Sequence, residues 1–243
     1  MLLLQNTRLD ASGPLRFLIY GGAGSGKTTA AATFPHPLFV DCEGGLLSVR
    51  DRGVDYVRCS TIADVFGAVA TVRAHAGEFQ TVVVDSLTEV SRIALDARMR
   101  RPDDPSRPSN PSLAEWSRCI HVLRSLVRAF ASLPLHVVFT ALPRQIKSPA
   151  GDLLAMKPWL VGRVADEVSA AMDFVLFLHG QEVESEQGER SYNRGFLTVP
   201  HRKVFAKDRS GKLPMWVDPT WEALSGYLGV TTAPAPVPTP VAA

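Results

Sequence analysis

The chain has 243 residues, 46% hydrophobic and 21% charged, the balance of a globular protein long enough to bury a core without staples. Its 26 Lys and Arg against 24 Asp and Glu leave a net charge of +2, so any nucleic-acid argument must rest on local clusters and not on the total. The three cysteines, Cys42, Cys59 and Cys119, lack metal-ligand spacing and read as reduced thiols, and no stretch suits a signal peptide or a bilayer span. The expectation is a soluble, cytoplasmic protein with no membrane partner.

Leu15–Tyr20 is a short apolar run that enters a glycine-rich loop, and Ala30–Thr33 continues as a helix stopped by Pro35. Pro37–Asp41 reads as a second buried strand and Val54–Val57 as a third. Ser60 or Thr61 can cap a helix whose apolar face includes Ile62, Val65, Phe66, Val69 and Val72. Thr81–Val84 is a run of β-branched residues ending in Asp85, followed by a helix to about Arg100.

Arg101–Pro111 holds four prolines and reads as a loop. Ser112 caps a helix with Leu113, Trp116, Ile120, Leu123, Val127 and Phe130 on one side, and Leu135–Phe139 is the next strand. A polar, basic stretch then runs from Pro143 to Pro158. Beyond a short helix and a strand at Phe174–Leu178, antiparallel strands are expected at Gln181–Gln187, Phe196–Val199 and Lys203–Ala206, with a turn at Gly188. Thr220–Leu228 is a terminal helix, and residues 231–243 form a Pro/Ala-rich tail expected to be disordered. The continuous apolar strands predict an α/β domain over residues 1–230. It has a mostly parallel sheet covered by helices on both faces and an antiparallel C-terminal strand extension.

Gly21-Gly22-Ala23-Gly24-Ser25-Gly26-Lys27-Thr28 matches G-x-x-x-x-G-K-[ST], the P-loop, between a strand and a helix. Its glycines let the backbone turn its N–H groups onto phosphates, and the helix beginning there adds its positive end. Lys27 would reach the β- and γ-phosphates, the Thr28 hydroxyl would ligate Mg²⁺, and Thr29 follows in the same ATP-binding segment. Asp85, at the carboxyl end of a buried strand, can hold Mg²⁺ directly or through water; it also suits a helix N-cap. Glu43, just past the second strand, can orient and deprotonate an attacking water, though taken alone it also fits a surface loop. The implied ligands are ATP and Mg²⁺.

The P-loop, Phe39-Val40-Asp41-Cys42-Glu43-Gly44-Gly45-Leu46, Thr81-Val82-Val83-Val84-Asp85-Ser86 and the late Lys203–Pro214 segment together resemble the RecA superfamily. They are most similar to the small RecA-like ATPases of bacteriophages associated with single-strand annealing. The resemblance covers roughly residues 15–220. It implies a RecA-like core, Glu43 as catalytic base and a homo-oligomer, ring or filament, with ATP at subunit interfaces. In it Lys207 and Arg209 would act in trans on the neighbour's γ-phosphate; from the residues alone they also fit a solvated turn. Thr140 stands where RecA proper has a glutamine linking DNA binding to hydrolysis, and only about fourteen residues precede the first strand.

Arg144, Lys147, Lys157 and Arg163, with Trp159 among them, lie where RecA relatives place DNA-binding loops. Cations on a mobile loop can track a phosphate backbone and an aromatic can stack on a base, while the same residues also fit an ordinary charged loop anchored by Trp159. Trp116 and Trp221 read as core, and His36, His121 and His179 have no paired ligands.

The leading expectation is a Mg-dependent, DNA-stimulated ATPase that binds single-stranded DNA and promotes annealing or recombination in phage replication or repair. It would work in the cytoplasm, that of a bacterial host if phage-encoded, with a single-strand-binding protein as a further candidate partner. The alternatives are a helicase or primase loader and a nucleotide-gated binding module with negligible turnover.

Overall fold

The computed structural model describes residues 13–75, 77–99, 111–184 and 190–230, with backbone alone at 98–99, 181–184 and 190–191. The expected tail at 231–243, the turn at Gly188 and most of the proline-rich loop lie outside the described residues.

The P-loop strand β1 (Arg16–Tyr20) buries Phe17, Leu18, Ile19 and Tyr20 completely. Alternation along the strand sends Leu18 and Tyr20 to one face of the sheet and Phe17 and Ile19 to the other, so a four-residue apolar run seeds two cores. After it come α1 (Lys27–Ala31), β2 (Pro37–Asp41), a 3₁₀ segment at Leu46–Arg52, and β3 (Asp55–Arg58). Next come α2 (Ile62–Ala74), β4 (Thr81–Asp85), α3 (Leu87–Met99), α4 (Leu113–Ala131) and β5 (His136–Ala141). β6 (Pro143–Lys147) and β7 (Leu153–Pro158) form a separate hairpin, then α5 (Val164–Ala171) leads to β8 (Phe174–Glu184) and β9 (Arg190–Leu197). The described chain closes with β10 (Lys207–Asp208), β11 (Trp216–Val217) and α6 (Trp221–Leu228).

The main sheet runs β11-β9-β8-β1-β5-β4-β2-β3, with β10 also paired to β8. The six strands from β8 to β3 are parallel, and β9, β10 and β11 are antiparallel additions. Helices α2, α3, α4 and α5 pack on the Leu18 face, and α1 and α6 on the Phe17 face. This is the expected mostly parallel α/β sheet, covered by helices on both faces and extended by antiparallel strands. Thr61 and Ser112 cap α2 and α4 through reciprocal boxes with Asp64 and Glu115, each worth about 1 kcal/mol to its helix.

Several local expectations are corrected. Phe66 is 38% exposed, because the buried stripe of α2 is Val65, Ala68, Val69 and Val72, and Phe66 lies one step round the helix from it. Leu113 is 86% exposed, as it opens α4 a full turn before the first core contact at Cys119. Residues 203–206 are not a strand. They clip onto β7 instead, with the Met156 N–H donating to the Lys203 carbonyl and the Phe205 N–H to that of Met156.

The basic stretch at 143–158 is an ordered hairpin, not a mobile loop. Its turn is closed by the Ser148 N–H on the Asp152 carbonyl at 2.8 Å, with Gly151 at φ +92°. Trp159 then donates its N–H to the Leu142 carbonyl at 2.7 Å and tethers the hairpin base to the sheet.

Candidate functional site

Parallel strands present their carboxyl ends to one crevice, and here those of β1, β5, β4 and β2 carry the P-loop, Thr140, Asp85 and Glu43. They open on a cleft of about 1190 Å³ lined by Ala23, Gly24, Gly26, Lys27, Thr28, Thr29, Glu43 and Asp85. Lys27 folds back over the loop, its ammonium donating to the Gly21 and Gly22 carbonyls at 3.0 and 2.9 Å. Burial holds its pKa below the usual lysine value, opposed by the carboxylates of Asp85 and Glu43. The Ser25 hydroxyl is buried without a partner in the same loop. Helix α1 is only five residues long, so its dipole adds less than expected, and the loop amides and Lys27 carry the anion site.

Thr28 donates its hydroxyl to Asp85 Oδ2 at 2.7 Å, and Thr140 donates to Asp85 Oδ1. β5 lies between β1 and β4, which is why Thr140 can reach across. Asp85 is 3% exposed; burial raises its pKa against the two hydroxyl hydrogen bonds and Lys27. A carboxylate and a hydroxyl, both oxygen donors, facing each other beside a phosphate loop fit Mg²⁺, a hard cation that takes oxygen ligands.

Glu43 is positioned from both sides. Behind it, Asp41 accepts from the Gly44 N–H at 2.7 Å and pairs with Arg58 at 3.2 Å, turning the chain sharply after β2. Gly44 sits at φ +78°, where a Cβ would stand 2.5 Å from the Arg58 guanidinium, so no other residue fits this turn without displacing the arginine. In front, Ser86, joined to Asp85 by a cis peptide, donates its hydroxyl to Glu43 Oε1. Ser86 also accepts from the Glu89 N–H at 3.3 Å, combining helix capping with an orienting contact on Glu43.

The structure places the remaining expected residues elsewhere. Lys207 Nζ donates to the carbonyls of Ser169, Ala170 and Met172 at 3.0, 2.9 and 2.7 Å. Arg209 pairs with Asp173 and donates to the Ala170 carbonyl, both at 2.9 Å. Both cations therefore bind the carboxyl end of α5 in their own subunit. β10 pairs with Phe174 and Val175 at the start of β8, the opposite edge of the sheet from the P-loop.

On the hairpin, Arg144 and Lys157 are direct cross-strand partners, while Lys147 follows a register shift and Arg163 caps α5 without a side-chain bond. Lys157 is ion-paired with Asp166 at 2.9 Å. Trp159 is 40% exposed, but the Arg92 guanidinium already lies 5.0 Å over its ring. Trp116 is only partly buried and faces the same small cavity as Trp159, whereas Trp221 is core.

One cleft residue escapes sequence reasoning. Arg194 on β9 lies against Gly26, with its Cδ and Nε 3.4 and 3.5 Å from the place of a Cβ there. Among the described residues no group of three or more His, Cys, Asp or Glu could hold a metal by itself.

These features define a P-loop nucleotide site at the carboxyl ends of a mostly parallel, open α/β sheet. The chain belongs to the AAA domain family, whose model matches residues 13–210. It is similar to a solved KaiC-like protein from the hyperthermophilic archaeon Pyrococcus horikoshii OT3, with 17% identity over 79% of this chain and 81% of that one. The TM-score of the two structures is 0.47. No curated protein matches.

Proposed function

We propose that the chain hydrolyses ATP with Glu43 as general base and couples the cycle to single-stranded DNA held on the β6–β7 hairpin, in support of strand annealing or recombination. The observation that carries the catalytic half is the convergence of Lys27, Thr28, Asp85 and an oriented Glu43 on one cleft. When ATP binds, Lys27 exchanges two carbonyl acceptors for charged phosphate oxygens, a stronger hydrogen bond, and the phosphates oppose the burial that depresses its pKa. Thr28 and Asp85 would hold Mg²⁺, which supplies charge neutralisation of the phosphates. The Ser86 hydroxyl fixes one Glu43 oxygen and leaves the other to take a proton from water.

The DNA half is supported by Arg144, which stands opposite Lys157 on the hairpin and has no ion pair among the described residues, whereas Lys157 is held by Asp166. A hydrogen-bonded path also joins the two regions. Thr88, two residues past Ser86, accepts the Leu142 N–H at 2.9 Å and donates to the Trp159 carbonyl at 3.0 Å, at both ends of the hairpin.

The test is ATP binding and turnover with and without single-stranded DNA. Wild type is expected to bind ATP and to turn over faster with DNA. Lys27→Ala is expected to lose ATP binding while melting like wild type; unchanged affinity would refute the site. Turnover indifferent to DNA would move the coupling from nucleic acid to a protein partner, the loader reading.

A further inference from the structure

We propose that Arg194 is a phosphate-binding residue of this site, acting within its own subunit as a second cation on the polyphosphate of ATP. The inference rests on the reading of the cleft as a nucleotide site.

Strand β8 continues past the level of the phosphate loop, and the Leu178 carbonyl lies 2.5 Å from where a Cβ on Gly21 would stand. The β8–β9 hairpin is thus the wall of the P-loop, and β9 brings Arg194 opposite Gly180 in that wall. Arg194 runs its aliphatic stem along Gly26, the residue before Lys27. Its guanidinium lies over the Tyr192 ring, with 5.1 Å between the guanidinium carbon and the ring centroid. Tyr192 and Arg194 are two apart on a strand and share a face.

This contact depends on a glycine. A Cβ on Gly180 would stand 2.3, 2.5 and 2.6 Å from Cε1, Cζ and Oη of Tyr192. The bare backbone at Gly180 leaves room for the ring end, and the ring in turn supports Arg194 beside the loop.

Three arginines line the cleft, and their surroundings separate them. Arg92 is paired with Glu89 at 3.2 Å and stacked on Trp159. Arg52 sits on the 3₁₀ segment and also borders a second cavity, beside β3. Arg194 touches the loop, and among the described residues no carboxylate pairs with it. A guanidinium whose contacts are a ring and an aliphatic neighbour keeps its five donors for a ligand, and its fork matches phosphate oxygens.

Charge balance points the same way. Four cations, Lys27, Arg52, Arg92 and Arg194, and four carboxylates, Glu43, Asp85, Glu89 and Asp218, line the cleft, so without Arg194 its lining would be net negative, a poor setting for a polyanion. Arg194 brings that count to balance from within the subunit.

The experiment measures binding of ATP, ADP and adenosine by wild type, Arg194→Ala, Arg194→Lys and Gly180→Ala, with thermal melting of each. Arg194→Ala should melt like wild type and lose about 10- to 100-fold in affinity for ATP and ADP, the range for a charged hydrogen bond, with adenosine unchanged. Arg194→Lys should recover part of the loss. Gly180→Ala, which pushes Tyr192 aside and leaves the P-loop sequence intact, should give an intermediate loss.

Equal ATP affinity in Arg194→Ala and wild type would overturn the proposal, as would an equal loss for all three ligands, which would put Arg194 on the base. Restored turnover on mixing Arg194→Ala with Glu43→Gln subunits would overturn its action in cis. Wild type that binds no ATP would instead fell the nucleotide reading itself, a separate result.

Discussion

The two ends of strand β1 carry the same residue types in opposite circumstances. At its carboxyl end Lys27 and Arg194 face an open cleft; at its amino end, roughly 13 Å away by strand rise from Phe17 to Gly21, Lys207 and Arg209 lie on the last turn of α5. Lys207 has three protein carbonyls and Arg209 a carboxylate and a carbonyl, so their donors are largely spent inside the fold. Cations at a helix carboxyl end neutralise its orphan carbonyls and its negative pole. Lys27 has two carbonyls of the loop it serves, and Arg194 has a ring. Residue type therefore does not separate an active-site cation from a structural one; the acceptors already within reach do.

The largest effect that could break this comparison is in the cleft. Glu43→Gln keeps the hydrogen-bonding shape but removes the basic oxygen, and single-turnover hydrolysis is expected to fall about 10²–10⁴-fold with ATP affinity retained. Hydrolysis at the wild-type rate would return Glu43 to a surface role and leave the cleft a binding site without a base.

At the other end the effect is expected in stability. Lys207→Ala should lower the melting temperature through loss of the α5 cap, about 1 kcal/mol, with the single-turnover rate close to wild type. The trans role implied by the RecA resemblance makes the opposite forecast, since Lys207 and Arg209 would have to leave their caps to meet a neighbour's ATP. Mixing Arg209→Ala with Glu43→Gln subunits distinguishes the two. Turnover that rises above either variant alone would establish trans action, and Arg209→Ala that is fully active by itself would establish the cap.

Much of the cleft was legible because its signals are local. The P-loop is one contiguous octapeptide, Asp85 ends an uninterrupted β-branched strand, and Glu43 follows a strand whose bounds came out as read. N-cap residues mark two helix starts: Ser112 is the cap of α4, and of the pair Ser60 or Thr61 it is Thr61 that caps α2. Arg194 was illegible because its meaning comes from the β8–β9 register and from the bare backbone at Gly180, neither of which has a sequence period. The β6–β7 hairpin was missed for another reason. Its turn signal, Ser148-Pro149-Ala150-Gly151-Asp152, was present, but the flanking runs are short and half polar, and their basic residues drew the reading toward a loop. The caps on Lys207 and Arg209 could not be read at all, because α5 lies more than thirty positions earlier in the chain.

The smallest expected effects are on the hairpin, where the same contrast between spent and available donors recurs within one cross-strand pair. Lys157 has a carboxylate partner in Asp166, and Arg144 has no ion pair among the described residues. Binding single-stranded DNA releases roughly 0.7 of a counterion per phosphate contact, so each cation that meets a phosphate adds about that much to the slope of log affinity against log salt. An exposed ion pair such as Lys157–Asp166 contributes little to stability and competes with a phosphate for the ammonium. Arg144→Ala is therefore expected to weaken binding and to reduce the salt slope by about 0.7, while Lys157→Ala should reduce it by less. Asp166→Asn, which releases Lys157 without removing it, should strengthen binding and steepen the slope. Equal slopes in wild type and all three variants would take the hairpin out of DNA contact and leave Arg144 and Lys157 as surface charge.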